Sequence, residues 1–168
     1  MNFKDFVFIF LPLFFLSLFA KIFFTNFFLV YPGNILFSLA IATLTFVDSG
    51  LCLYFFLFIL GYITGLDNNL EFLTSLYFLS ILLIWKKLKT ILQLEISKTR
   101  LYWWLVNILL FLTFQNLIYF YRLDAPIDWE IIENIIIKNI YYLTITLLWI
   151  LIFYRILKSL LNKEDEKR

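Results

Sequence analysis

The chain has 168 residues, of which 63% are hydrophobic and 15% charged, with a formal net charge of +2. Too little polar surface remains to cover a soluble domain, so we interpret the chain as a polytopic integral membrane protein. Histidine is absent and Cys52 is the single cysteine. The commonest general base, the commonest metal ligand and any internal disulfide are therefore missing. We expect no catalytic residue, no cofactor and no metal site.

The first apolar run, Phe6 to Ala20, is interpreted as an uncleaved first helix, because it ends in a poor cleavage site and further apolar runs follow. Pro12 predicts a kink in this helix. Lys21 would lie about 25 Å along a helix that starts at Lys4, where its ammonium group can reach the far interface. Residues 22–31 then either lie near that headgroup layer or extend the first helix.

The apolar run from Ile35 to Leu66 is interrupted only at Asp48, Ser49 and Gly50. As one helix it would measure about 45 Å, against a hydrocarbon core of roughly 30 Å. Two short helices joined by a tight turn fit better, and Asp48 or Ser49 would cap the second of them.

Three longer helices are predicted in the rest of the chain. The fourth helix runs from about Leu70 to Trp85, the fifth from about Leu101 to Tyr121 and the sixth from about Asn139 to Lys158. Residues 86–100 are basic with near-helical apolar spacing, which indicates an interfacial amphipathic segment. A helical segment from Ile127 to Lys138 leads into the sixth helix.

The distribution of Lys and Arg predicts the orientation. The loop at 86–100 and the tail from Arg155 carry five bases each, whereas the loops at 66–71 and 122–133 share one. The two basic regions are therefore expected in the cytoplasm, and six spans place both termini there. Nucleic acid binding is not expected, because topology alone explains where the bases lie.

The predicted fold class is thus all-α, with about six transmembrane helices of which the second and third are short. Residues 1–162 form a single transmembrane domain, and residues 163–168 form a short charged cytoplasmic tail.

The fifth helix has aromatic side chains at both ends, where the two membrane interfaces are expected. They are Trp103 and Trp104 at its start and Tyr119 and Tyr121 at its end.

Asp48 is the carboxylate placed inside the long apolar run. One interpretation is a buried acid for proton coupling, ion binding or a partner's arginine, because charges within a membrane are costly. The other is an N-cap in a turn that water reaches, since Ser49 and Gly50 favour a turn.

Gly61 and Gly65 share one face of the third helix, between Gly50 at its start and Asp67 beyond its end. A Gly-x-x-x-Gly pair lets another backbone approach closely. The face is either a groove for a partner helix or a packing surface inside the chain's own bundle.

Helices 4 and 5 carry polar side chains that are expected to form hydrogen bonds between the two helices. These residues are Thr74, Ser75, Ser80, Asn107, Gln115 and Asn116.

Four features follow one another along the chain: Pro32, the segment from Gly61 to Asn69, Thr74-Ser75-Leu76, and Lys86-Lys87-Leu88-Lys89. Their order resembles that of the rod shape-determining MreD family, over roughly residues 30–160. Two positions depart from the family pattern. Asn69 stands where the pattern has an acid, with Asp67 two residues earlier, and Tyr62 stands in place of Phe.

The resemblance implies a non-enzymatic scaffold of the bacterial inner membrane. Members of that family bind MreC and help to link cytoplasmic MreB filaments to the peptidoglycan synthases of the rod complex, which maintains cell shape. The resemblance also implies a fold similar to that of the substrate-binding components of energy-coupling-factor transporters.

Such a vitamin-binding transporter component is the alternative function. It would ordinarily present a face of small residues on helix 1 to its coupling subunit, whereas the first apolar run offers only Ser17 and Ala20. A membrane enzyme acting on lipids would need clustered carboxylates or an intramembrane basic pocket, and the sequence shows neither.

Overall fold

The computed structural model describes residue 4 and residues 6–27, 34–47, 50–66, 69–89, 97–122 and 129–165. This part of the chain is helical and contains no strand. A π-helical turn, Phe6–Phe10, leads into α1, and the six helices are α1 (Leu11–Phe27), α2 (Ile35–Phe46), α3 (Leu51–Leu66), α4 (Glu71–Lys89), α5 (Ser97–Arg122) and α6 (Trp129–Asp165).

Three segments are long and apolar enough to cross a membrane: Phe6–Asn26, Thr99–Tyr121 and Trp129–Leu161. The apolar helices between the first and second of them are shorter, namely α2, α3 and the Glu71–Trp85 part of α4. The prediction that helices 2 and 3 are short is therefore confirmed.

The outer surface of the bundle is apolar. Phe8 is 74% exposed, Leu51 90% and Phe72 66%, and similar side chains lie exposed along α5 and α6. A soluble protein rarely leaves large apolar patches open to water. Together with the three long apolar helices, this surface identifies a protein that lies in a membrane.

Helix α2 is the core of the bundle. Every residue from Ile35 to Leu44 is buried, and α1, α3, α4 and α6 all contact this helix. A helix that is apolar on all sides can be stable when other helices surround it. The second predicted span is thus an internal helix with little surface for lipid.

The start of α1 shows how the chain accommodates Pro12. Proline lacks the N–H that would bond the carbonyl of the residue four positions earlier. The π-helical turn Phe6–Phe10 comes just before it, and its wider hydrogen-bonding pattern is one of the adjustments that restores satisfied carbonyls near a proline. Helix α1 continues through Lys21 to Phe27, so residues 22–27 extend the first helix, and residues 28–31 lie outside the described residues.

Helix α6 is longer than predicted, because the expected segment before it and the sixth span form one continuous helix. It begins at Trp129 and ends at Asp165, a stretch that contains neither glycine nor proline to interrupt it. Its last residues extend into the expected charged tail.

The two helices on either side of the basic loop are also longer than predicted, since α4 continues to Lys89 and α5 starts at Ser97.

Two of the aromatic side chains that were expected at the interfaces are buried by neighbouring helices. Trp103 and Trp104 are buried within the bundle, while Tyr102 beside them is 68% exposed. Their face of α5 packs against α2 and α4, so these indoles fill the core. Tyr119 and Tyr121 at the other end are exposed, as expected for residues at an interface.

Candidate functional site

The Gly61 and Gly65 face forms the contact between α3 and α4. A β-carbon added to Gly61 would lie 2.6 Å from Cα of Ser75 and 2.9 Å from the carbonyl oxygen of Thr74. One added to Gly65 would lie 2.6 Å from Cα of Glu71. Because these atoms belong to the backbone, a larger side chain at either glycine would push the helices apart. The glycine face is therefore occupied by the chain's own α4.

The connection from α3 to α4 is a tight turn around Asn69. Asn69 has a φ of 53°, the left-handed region that asparagine tolerates better than most residues. Its N–H donates to the Leu66 carbonyl at 3.4 Å, and the N–H of Leu70 donates to the Gly65 carbonyl at 3.0 Å. This pair of bonds is the Schellman arrangement that ends many helices.

Helix α4 begins directly after this turn. The carbonyl of Leu70 accepts the N–H of Thr74 at 2.9 Å, the first bond of the new helix. The end of α3 and the start of α4 are therefore adjacent in the chain, and their backbones must approach each other closely from the turn onward. That short connection explains why glycine is needed at both Gly65 and Gly61.

Ser75 adds a polar link to this hairpin. Its Oγ lies 3.1 Å from the carbonyl oxygen of Phe58 in α3 and 2.8 Å from that of Glu71 in its own helix. The hydroxyl has one proton to donate, so the two carbonyls share it. The close approach at Gly61 is what brings Ser75 within reach of α3.

The other candidate residues lie at the ends of α3. Gly50 precedes the helix with a φ of 133°, and its carbonyl accepts the N–H groups of Leu53 at 2.9 Å and Tyr54 at 3.4 Å. Gly50 thus holds the N-cap position that was predicted for Asp48 or Ser49, because a φ in that region favours glycine. Asp48 and Asp67 lie outside the described residues.

The predicted polar bonds between helices 4 and 5 are replaced by local ones. Thr74, Ser80 and Asn107 donate to carbonyls of their own helices, and Ser75 reaches α3. The contact between α4 and α5 is aromatic instead. Its ring pairs are Trp85 with Trp103, 4.6 Å between centroids, and Tyr77 with Phe114, 4.8 Å.

A cluster of aromatic and polar side chains joins α2, α5 and α6 near one end of the bundle. Trp104 Nε1 donates to Thr45 Oγ1 at 3.3 Å. Tyr154 stacks on Phe46 at 5.0 Å between centroids, and Arg100 Cζ lies 4.6 Å from the centroid of the Tyr154 ring. The Arg100 guanidinium is therefore placed for a cation–π contact with this ring.

A small crevice opens further along the same three helices and has room for about one water molecule. Ser38 Oγ beside it lies 3.0 Å from the carbonyl oxygen of Thr146, which links α2 to α6. The residues that line the crevice are Asn34, Ile108, Phe111, Leu112, Gln115, Tyr142 and Thr146.

Most polar residues of this crevice were missed by sequence reasoning, which singled out Gln115 alone. Tyr142 and Thr146 stand four residues apart and so share a face of α6, a spacing visible in the sequence. Asn34, at the start of α2, joins these residues only in the folded structure, so its place in the crevice cannot be read from the sequence. Among the described residues no group of three His, Cys, Asp or Glu side chains is placed to bind a metal ion.

Comparison of the chain with protein-family models, with curated proteins and with solved structures finds no match.

Proposed function

We propose that this protein is a non-enzymatic scaffold of the bacterial inner membrane, with a role similar to that of the rod shape-determining MreD family. In this proposal it crosses the membrane several times and has both termini in the cytoplasm. It binds an MreC-like membrane protein and helps to link MreB filaments to peptidoglycan synthases.

The observation that carries the proposal is the hairpin of α3 and α4. The segment from Gly61 to Asn69 is one of the four features on which the resemblance rests, and its described residues, 61–66 and 69, belong to this hairpin. Backbone contact explains both glycines, and the left-handed φ of Asn69 explains an asparagine in the turn. The scaffold function is inferred from the resemblance, and the hairpin supports it by giving a structural reason for the two glycines.

The hairpin geometry also bears on where a partner binds. Because α4 covers the glycine face, a partner helix must contact another surface of the bundle. The exposed apolar faces of α1, α3, α5 and α6 are available, and Phe19, Phe55, Leu117 and Ile140 are each at least 60% exposed on them. We place the partner on one of these faces.

Site-specific photo-crosslinking in native membranes tests this proposal. A crosslinking amino acid is introduced at Phe19, Phe55, Leu117 or Ile140, with the fully buried Leu53 as the matched control. We expect an MreC-like protein to be captured from one face and not from Leu53. Depletion of the protein should also convert rod-shaped cells to rounded ones.

Two results together would defeat the scaffold proposal. One is the absence of any cell-wall elongation protein among the crosslinked products and in co-purification. The other is unchanged rod shape after depletion, measured by microscopy at verified loss of the protein.

The alternative function, a vitamin-binding transporter component, receives less support. Ser17, one of the two small residues on α1, is 1% exposed and donates to the Leu13 carbonyl at 2.6 Å, so it faces the bundle interior. The crevice is close to the size of one water molecule, whereas small-molecule pockets usually enclose about 300–1,000 Å³. Recovery of the protein with a bound vitamin or with a coupling subunit would favour this alternative.

A further inference from the structure

We propose that the crevice between α2, α5 and α6 holds one ordered water molecule that links the three helices. The inference concerns a ligand of the bundle itself and is independent of the scaffold proposal. It rests on the position of the crevice in the bundle, on the hydrogen-bonding groups around it and on its size.

The crevice lies well inside the bundle. Thr146 precedes Tyr154 by eight residues, about 12 Å along α6, and Gln115 follows Trp104 by eleven residues, about 17 Å along α5. Tyr154 and Trp104 lie at the end of the bundle where Arg100 contacts the Tyr154 ring. The crevice therefore lies about two to three helical turns away from that end of the bundle.

A polar group that the bundle shields from water needs a partner inside the protein. Helix α2 starts there at Asn34, whose side chain makes no capping hydrogen bond. The N–H of Asn34 lies 3.5 Å from Thr146 Oγ1, at the limit of a hydrogen bond. The side chain of Gln115 lines the same crevice.

One water molecule satisfies these groups together. A buried water usually makes about three hydrogen bonds and needs a polar cavity of roughly its own size. The crevice meets both conditions, with polar side chains from α2 (Asn34), α5 (Gln115) and α6 (Tyr142 and Thr146) and room for one molecule. In this arrangement the water caps the start of α2.

Hydroxyl-radical footprinting by X-ray radiolysis of the full chain in lipid nanodiscs detects such a water, because radicals formed on it label the nearest side chains. Phe111 lines the crevice and is 2% exposed, while Phe78 packs nearby, does not line it and is 1% exposed. We expect several-fold more labelling of Phe111 than of Phe78. Equal labelling of the two rings would overturn the proposal, whether the crevice is empty or filled by a partner's side chain.

A pair of variants provides the second measurement. Thr146→Val removes a hydroxyl that lines the crevice, whereas Thr144→Val removes one on the exposed side of α6 that donates to its own helix at 2.9 Å. The first variant should lower the melting temperature by several degrees and reduce Phe111 labelling to the Phe78 level. The second should change neither quantity. Undiminished Phe111 labelling in folded Thr146→Val would count against a water held by these groups.

Discussion

Gly61 and Ser75 are in backbone contact, since a β-carbon on Gly61 would lie 2.6 Å from Cα of Ser75. Gly61→Ala should therefore destabilise the protein by about 1–3 kcal/mol, the usual cost of overpacking. Gly61→Leu and Gly65→Leu should prevent assembly of the hairpin. The alanine variant is tested by measuring its free energy of unfolding in bicelles, and the leucine variants are tested by measuring the yield of folded protein.

Two controls separate a backbone clash from a general effect of substitution. Phe55→Ala, on the lipid-facing side of the same helix, should lower the free energy of unfolding much less than Gly61→Ala does. Ser75→Gly should fail to rescue Gly61→Ala, because the nearest atoms to the new methyl group are Cα of Ser75 and the carbonyl oxygen of Thr74. Rescue by Ser75→Gly would show that the contact is made by side chains instead.

The hydrogen bond from Ser75 to the Phe58 carbonyl should contribute to the α3–α4 contact. Hydrogen bonds between membrane helices contribute about 0.6 kcal/mol on average, with a maximum of about 1.7. Ser75→Ala should therefore lower the free energy of unfolding by an amount in that range. Ser80→Ala is the matched control, because the exposed Ser80 donates to the Tyr77 carbonyl in its own helix. Equal unfolding free energies for the two variants would contradict a role for the interhelical bond.

The left-handed conformation of Asn69 predicts an ordered series of substitutions. Asn69→Gly should leave stability unchanged or raise it, and Asn69→Asp should be tolerated, since aspartate also adopts this conformation. Asn69→Ala should lower the unfolding free energy by about 1–2 kcal/mol. A stability of Asn69→Ala equal to that of Asn69→Gly would mean that the turn does not require a left-handed residue.

The buried tryptophans should differ in their tolerance of phenylalanine. Among the described residues, the Nε1 groups of Trp85 and Trp103 have no hydrogen-bond partner, whereas Trp104 Nε1 donates to Thr45 at 3.3 Å. Trp104→Phe should therefore cost about 0.5–1.5 kcal/mol more than Trp85→Phe, the typical net value of one hydrogen bond. The free energy of unfolding of both variants is measured by chemical denaturation, followed by the helical circular dichroism signal. A larger loss of stability for Trp85→Phe would contradict the expected order.

The fold was predictable to the extent that local chemistry determines it. Proline, glycine, asparagine and clusters of charge mark the ends of helices, so the number of helices and the shortness of α2 and α3 followed from the sequence. The spacing of Gly61 and Gly65 identified a close-contact face. A turn at residues 66–69 was also predicted, because aspartate and asparagine favour turns, but the left-handed conformation of Asn69 was not.

The burial of individual side chains was not predictable, because most of these helices are apolar on every side. In a soluble helix polar residues mark the exposed face, but lipid accepts the same side chains as the core. Nothing local distinguishes the buried Trp103 from the exposed Tyr102. The crevice was missed for a similar reason, since its polar groups come from three helices far apart in the chain.

The enclosure of α2 has a consequence for the synthesis of the protein. Its neighbours α1, α3 and α4 are all made before α6, but α6 supplies the Thr146 carbonyl to Ser38 and the Tyr154 ring to Phe46. One side of α2 therefore stays uncovered until α6 leaves the ribosome and packs against it. A chain that stops before α6 would leave that side open to membrane chaperones and proteases.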